Sequence, residues 1–181
     1  METTACVMIL SREFSGASED RARTLTGECY MKKLTFRILV VDDYEPWRRW
    51  VCSTLQKQPE FQIVGEVSDG PDAVRKAQEL LPELILLDIG LPTLNGIDAA
   101  RRIRQHSSHS KILFFSNNRS LDVVEEALRT GAEGYVVKSD AEREIIPAME
   151  EVLRGGKFVG SGVKRMVKNP MRNLLQFAAP T

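Results

Sequence analysis

Four runs of apolar residues end abruptly on a polar group. ILVV at 38–41 stops at Asp42 and Asp43, LILL at 84–87 at Asp88, ILFF at 112–115 at Ser116, and YVV at 135–137 at Lys138. Short unbroken apolar runs, without alternation, belong to strands covered on both faces. Between them the period changes to that of helices. Pro46 stands in the first turn of a helix with Trp47, Trp50, Val51 and Leu55 on one face, where both tryptophans are expected to pack. A strand at 62–67 leads through Asp69-Gly70-Pro71 into a helix with Ala73, Val74, Ala77 and Leu81 on its inner side, stopped by Pro82. The loop 91–96 precedes a helix from near Ile97 that ends in the polar stretch 105–110. After the strand 111–115 comes a helix bearing Leu121, Val124 and Leu128, closed by Gly131, and after the strand 134–137 a last helix over about 140–154. Strands alternating with helices across short connections predict an α/β fold, a doubly wound parallel sheet of five strands with helices on both faces.

Composition narrows the class. The 181 residues carry 25 Lys plus Arg and 25 Asp plus Glu, so the chain has no net pull toward nucleic acid or membrane and any charge-based function is local. The three cysteines, at 6, 29 and 52, have no metal-ligand or redox spacing, and their odd number argues against a secreted disulfide framework, so a cytoplasmic location is expected. No run approaches the roughly 20 apolar residues of a membrane span. Residues 1–33 read as a disordered or mis-called arm, with Met31 as a candidate translation start. His106 and His109 fall in a polar connection and read as solvated.

In an open parallel sheet the polar stops converge, because ligands bind outside the carboxyl ends of the strands. Taken singly, each has a plain explanation: a helix cap for Asp42-Asp43, a turn acid for Asp88, a loop serine for Ser116, a solvated lysine for Lys138. Taken together, at successive strand ends, they point to one pocket. Three carboxylates brought close repel unless a cation intervenes. Mg2+ is a hard ion that takes one or two protein carboxylates plus waters and phosphate oxygens, which suits Asp43 and Asp88 as ligands, Asp42 acting through water, and the backbone carbonyl of Gly90 completing the set. Asp88 can then act as nucleophile toward phosphorus, Lys138 neutralise the phosphoryl oxygens, and Ser116 donate to one of them.

The strings ILVVDD, LILLDIGLPTLNG, ILFFS and GYVVK strongly resemble the receiver domain of bacterial two-component response regulators, over about residues 36–156. The resemblance implies a flavodoxin-like sheet of order 2-1-3-4-5. It implies that Asp88 accepts phosphate from a sensor histidine kinase or phosphotransfer protein, with Mg2+ at Asp42, Asp43 and Asp88 and with Lys138 on the phosphoryl group. It makes Ser116 and Tyr135 a switch pair that alters the face of the fourth helix, fifth strand and fifth helix, through which a homodimer can form. Gly90 and Asn118 occupy positions that tune dephosphorylation, and Asn117 is bulkier than the small residue usual after the switch hydroxyl.

RGGKFV at 154–159 looks like the exit of receivers that continue into a LuxR-type helix-turn-helix, a domain of roughly 60 residues. Here only about 25 residues follow Gly156, without a visible pair of periodic helices, so direct DNA binding is not expected; this tail, 157–181, is basic, with Lys157, Lys164, Arg165, Lys168 and Arg172 and no acid. Two readings stand: a phosphorylation-dependent signalling switch that is no enzyme beyond its own phosphorylation and dephosphorylation, or a truncated DNA-binding regulator retaining only its receiver and dimerisation module. A haloacid-dehalogenase-type phosphatase needs a second acid two residues after the nucleophile. Gly90 stands there instead.

Overall fold

The computed structural model describes residues 35–164. The arm 1–33 with its candidate start Met31, and the tail from Arg165 to Thr181, lie outside the described residues. The elements are β1 (Phe36–Val41), α1 (Glu45–Leu55), β2 (Phe61–Val67), α2 (Gly70–Leu80), β3 (Leu84–Leu87), α3 (Gly96–His106), β4 (Lys111–Ser116), α4 (Leu121–Arg129), β5 (Gly134–Val137), α5 (Ala141–Leu153), β6 (Phe158–Val159) and α6 (Ser161–Lys164). A 3-10 turn, Lys138–Asp140, joins β5 to α5.

All strands are parallel, in the order β2-β1-β3-β4-β5-β6. The doubly wound order 2-1-3-4-5 is present, with one correction: the sheet has six strands rather than five. The extra strand is two residues long, too short for any periodicity to reveal. It forms because Phe158 N donates to Glu133 O (3.0 Å) and Gly160 N to Tyr135 O (2.8 Å), filling carbonyls on the open edge of β5. The sheet thus continues past the Gly155-Gly156 pair.

Alternation of side chains along each strand divides the core in two. Leu39, Val41, Ile85, Leu87, Ile112, Phe114, Tyr135 and Val137 face one side, under α2, α3 and α4. Ile38, Val40, Leu84, Leu86, Leu113, Phe115 and Val136 face the other, under α1 and α5. Both sides are covered by helices, which is why the strands read as unbroken apolar runs. Trp47 and Trp50 are half-buried against the second cluster. Leu81 does not lie inside as its spacing suggests: it is the left-handed cap of α2 (φ 44°) and 63% exposed, while Leu80 takes the inner place. Pro82 cannot extend the helix, so the chain turns outward one residue before it.

Candidate functional site

Parallel pairing places the acids. Val41 is in register with Leu87, so the next residues, Asp42 and Asp88, emerge side by side. The ladder carries on one step beyond the strands: Asp42 N donates to Val67 O (3.0 Å) and Asp88 N to Val41 O (2.9 Å). Both acids are buried, Asp43 is exposed, and one carboxylate oxygen from each of the three lies within 4.8 Å of the others. Lys138, buried at the end of β5, sets its ammonium 3.0 Å from Asp88 Oδ2 and 2.6 Å from Asp42 Oδ2. The first contact is an aligned hydrogen bond; the second is an ion pair without hydrogen-bond alignment, leaving Asp42 Oδ2 with no directed donor. The remaining oxygens accept backbone N–H groups, Asp42 Oδ1 from Tyr44 (3.0 Å) and Asp88 Oδ1 from Ile89 (2.8 Å).

Burial raises the Asp42 carboxyl above its ordinary value, with Lys138 pulling it back and the Asp88 charge adding to the rise. An all-oxygen set of crowded carboxylates, one with an undirected buried oxygen, fits a hard divalent cation such as Mg2+. A Cβ on Gly90 would stand 3.6 Å from Asp88 Oδ2, so this residue borders the same carboxylate.

Two further residues frame the acids: Arg48, which belongs to none of the quoted strings, and Gly96, which closes LILLDIGLPTLNG. Arg48, on α1, donates through Nη1 to the carbonyls of Asp42 (2.8 Å) and Asp43 (3.2 Å), pinning the turn that presents them. The available signal is an arginine one turn into the helix that follows the acid pair. Gly96 opens α3 with its N–H on Ile89 O (2.9 Å), and a Cβ there would overlap the Asp88 carbonyl. Gly96→Ala is therefore expected to cost about 2–3 kcal/mol, from overpacking against backbone that cannot move without shifting Asp88. Denaturant titration of the variant, compared with a surface glycine-to-alanine control, checks it.

Ser116 ends β4 in register with Val137, one residue before Lys138. Its hydroxyl accepts a long bond from Asn118 N (3.4 Å), while the Asn118 side chain accepts from Ser120 N (2.9 Å). Tyr135 is fully buried in β5, and its hydroxyl donates to the Asn118 carbonyl (2.8 Å), so the ring points inward and holds the β4–α4 loop. Arg119 of that loop reaches Ser139 Oγ (2.5 Å). His106 and His109 are exposed at the other end of the sheet, before β4, away from the acids. Cys52 is buried in α1, its thiol pushed up to about 12 by burial and by the Glu66 charge, which makes it a packing residue and not a nucleophile.

Burial also pushes the Tyr135 phenol up to about 12, against an ordinary value near 10. A group that holds its proton more tightly folded than unfolded stabilises the fold below its unfolded value and loses that contribution as pH rises through the folded one. Between about pH 10 and 12 the wild type should lose up to about 1.4 kcal/mol per pH unit more than Tyr135→Phe. Urea titrations of both proteins across that range measure the difference.

A family model described as the response regulator receiver domain matches residues 38–150. The transcriptional regulatory protein DegU of Brevibacillus brevis is 32% identical over 139 residues, 77% of this chain and 59% of its own length. The transcriptional regulatory protein LiaR of Bacillus subtilis (strain 168) is 32% identical over 144 residues, 80% of this chain and 68% of its own. The chain thus spans between 59% and 68% of these relatives. Among solved structures, a LuxR-family two-component response regulator from Aurantimonas sp. SI85-9A1 is 31% identical with a TM-score of 0.70, covering 72% of this chain and 94% of that one. The response regulator domain of Thermotoga maritima CheB is 32% identical with a TM-score of 0.60, covering 67% and 96%. With the parallel sheet, the clustered acids and these similarities in hand, the chain belongs to the response regulator receiver domain family.

Proposed function

We propose that the chain is a phosphorylation-dependent signalling switch in which Asp88 takes a phosphoryl group from a phosphohistidine of a sensor histidine kinase or phosphotransfer protein. The observation that carries this reading is the buried Lys138 ammonium, 2.6 and 3.0 Å from two carboxylates of a three-acid cluster at the strand ends. Asp42, Asp43, Asp88 and the backbone carbonyl of Gly90 would hold Mg2+, which when bound supplies positive charge to the carboxylates and the phosphoryl oxygens.

An oxygen of the Asp88 carboxylate forms the new O–P bond as the donor's N–P bond breaks, and the imidazole departs with the electron pair. Lys138, already on Asp88, stays within reach of the transferred oxygens. The Ser116 hydroxyl, which gives up only a long bond from Asn118, turns to donate to one of them. Tyr135, tied to the Asn118 carbonyl, transmits that loop movement to the surface of α4, β5 and α5. Gly90 and Asn118 set how readily water reaches the acyl phosphate. The switch body starts at 36 and runs past 156, because β6 joins the sheet beside β5 and Val163 packs into the core. A second copy docking on this surface would meet α4, α5 and β6, because β6 covers the outer edge of β5. Among the described residues no helix is long and apolar enough to cross a membrane, and we place the switch in the cytoplasm beside its kinase.

Incubation with acetyl phosphate and Mg2+, read by intact mass, tests the reading. A single adduct, dependent on Mg2+ and lost on chelation beforehand, is expected; a wild type that takes none sinks it. A second reading, the receiver of a DNA-binding regulator, is favoured by the names of DegU and LiaR and by the length of those relatives outside the match. An in-frame helix-turn-helix in the genomic DNA past codon 181 would decide for it.

A further inference from the structure

We infer that Trp47 is a positioning residue for phosphoryl transfer, holding the Lys138 ammonium in an aromatic corner. The inference rests on the reading of Asp88 as phosphoryl acceptor. Lys138 Nζ lies 5.9 Å from the centroid of the Trp47 ring and 5.7 Å from that of Phe115, both within cation–π range. The two rings meet at 90° with centroids 5.6 Å apart, so they form adjoining walls and not a stack.

The lysine needs such walls. Its four-carbon stem is flexible and its ammonium is a point charge, without the planar fork that lets an arginine orient itself. Of its two ionic contacts, only the one to Asp88 is an aligned hydrogen bond. When Asp42 is committed to a cation, its own contact with the ammonium weakens, and the rings remain as attractive surfaces that no ligand exchange removes. Burial strengthens their effect, since Lys138 is 3% exposed and little water competes.

Trp50 provides the internal comparison. It packs edge-on to Trp47 (5.6 Å) and stacks on Phe115 (6.5 Å, interplanar 14°), so it shares the cluster's packing. Among the described residues, the rings in cation–π contact with Lys138 are those of Trp47 and Phe115. A purely structural role for Trp47 would make the two tryptophans equivalent.

The experiment uses the full chain, acetyl phosphate over a range of concentrations, saturating Mg2+ and intact-mass readout, so that maximal rate and half-saturating donor concentration separate. Trp47→Leu should lower the maximal rate about tenfold while the half-saturating donor concentration is unchanged. Trp47→Phe, which keeps a π face, should recover most of that rate. Trp50→Leu should lose thermal stability as Trp47→Leu does but phosphorylate like the wild type. The inference is overturned if Trp47→Leu keeps the wild-type rate, if Trp47→Phe is no better than Trp47→Leu, or if Trp50→Leu is as slow. Should Trp47→Leu not fold, Phe115→Leu removes the second wall and is judged on the same rate and half-saturating concentration. A wild type without adduct refutes the phosphoacceptor reading itself, an outcome separate from every comparison among the variants.

Discussion

Asp88→Ala takes no phosphoryl adduct under conditions in which the wild type is fully modified. The neighbouring acids are not substitutes. Asp42 is as deeply buried, but one of its oxygens accepts the Tyr44 N–H and the other is held by Lys138. Asp43 is exposed and projects from the turn that Arg48 pins, at the rim. The variant should also fold: removing one of two like charges relieves repulsion on Asp42, and Lys138 keeps one partner. Its stability without Mg2+ is expected within about 1 kcal/mol of the wild type. Intact mass with acetyl phosphate, beside a thermal melt, checks both statements. An adduct that persists in a folded Asp88→Ala places the acceptor elsewhere.

Lys138→Met affects stability and chemistry together. Removing the ammonium leaves two buried carboxylates facing each other with only backbone N–H donors, and truncating one partner of a buried ionic cluster typically costs about 3–5 kcal/mol. The sign of the recovery is fixed by charge. Acidification that protonates Asp42, or Mg2+ that neutralises the pair, should each restore much of the loss, whereas raised salt should do little because the site is buried. Phosphorylation in Mg2+, where the variant is folded, should be about 100-fold slower, the scale for losing one preorganised charge at a developing oxyanion. Denaturant titrations at two pH values with and without Mg2+, followed by adduct formation, give both quantities. A variant as stable as the wild type without Mg2+ would mean that Lys138 does not compensate the acids.

These effects come from residues that the chain order announces. The strand β3 begins and ends where its apolar run does, β5 ends where its run does, and the polar residues after β1, β3 and β5 meet at one end of the sheet. Parallel strands buried on both faces must be apolar throughout, so any charge after them marks an edge. What frames the acids was not legible in the same way. Arg48, Gly96 and Trp47 act across sequence gaps, on a carbonyl, a backbone atom and an ammonium respectively, and none of those targets has a sequence periodicity. Leu81 was misplaced because a helical period says nothing of where the helix stops, and β6 was missed because two residues show no period.

By itself the amino-acid sequence determined the α/β alternation, the parallel sheet and which polar groups end its strands, because burial on both faces writes itself as unbroken apolar runs. Only the tertiary structure decided that a sixth strand covers the edge of β5, that Tyr135 is turned inward onto the Asn118 carbonyl, and that the Lys138 ammonium sits between Asp42, Asp88 and two rings. Those facts depend on distances between elements far apart in the chain, which packing sets and local pattern does not encode.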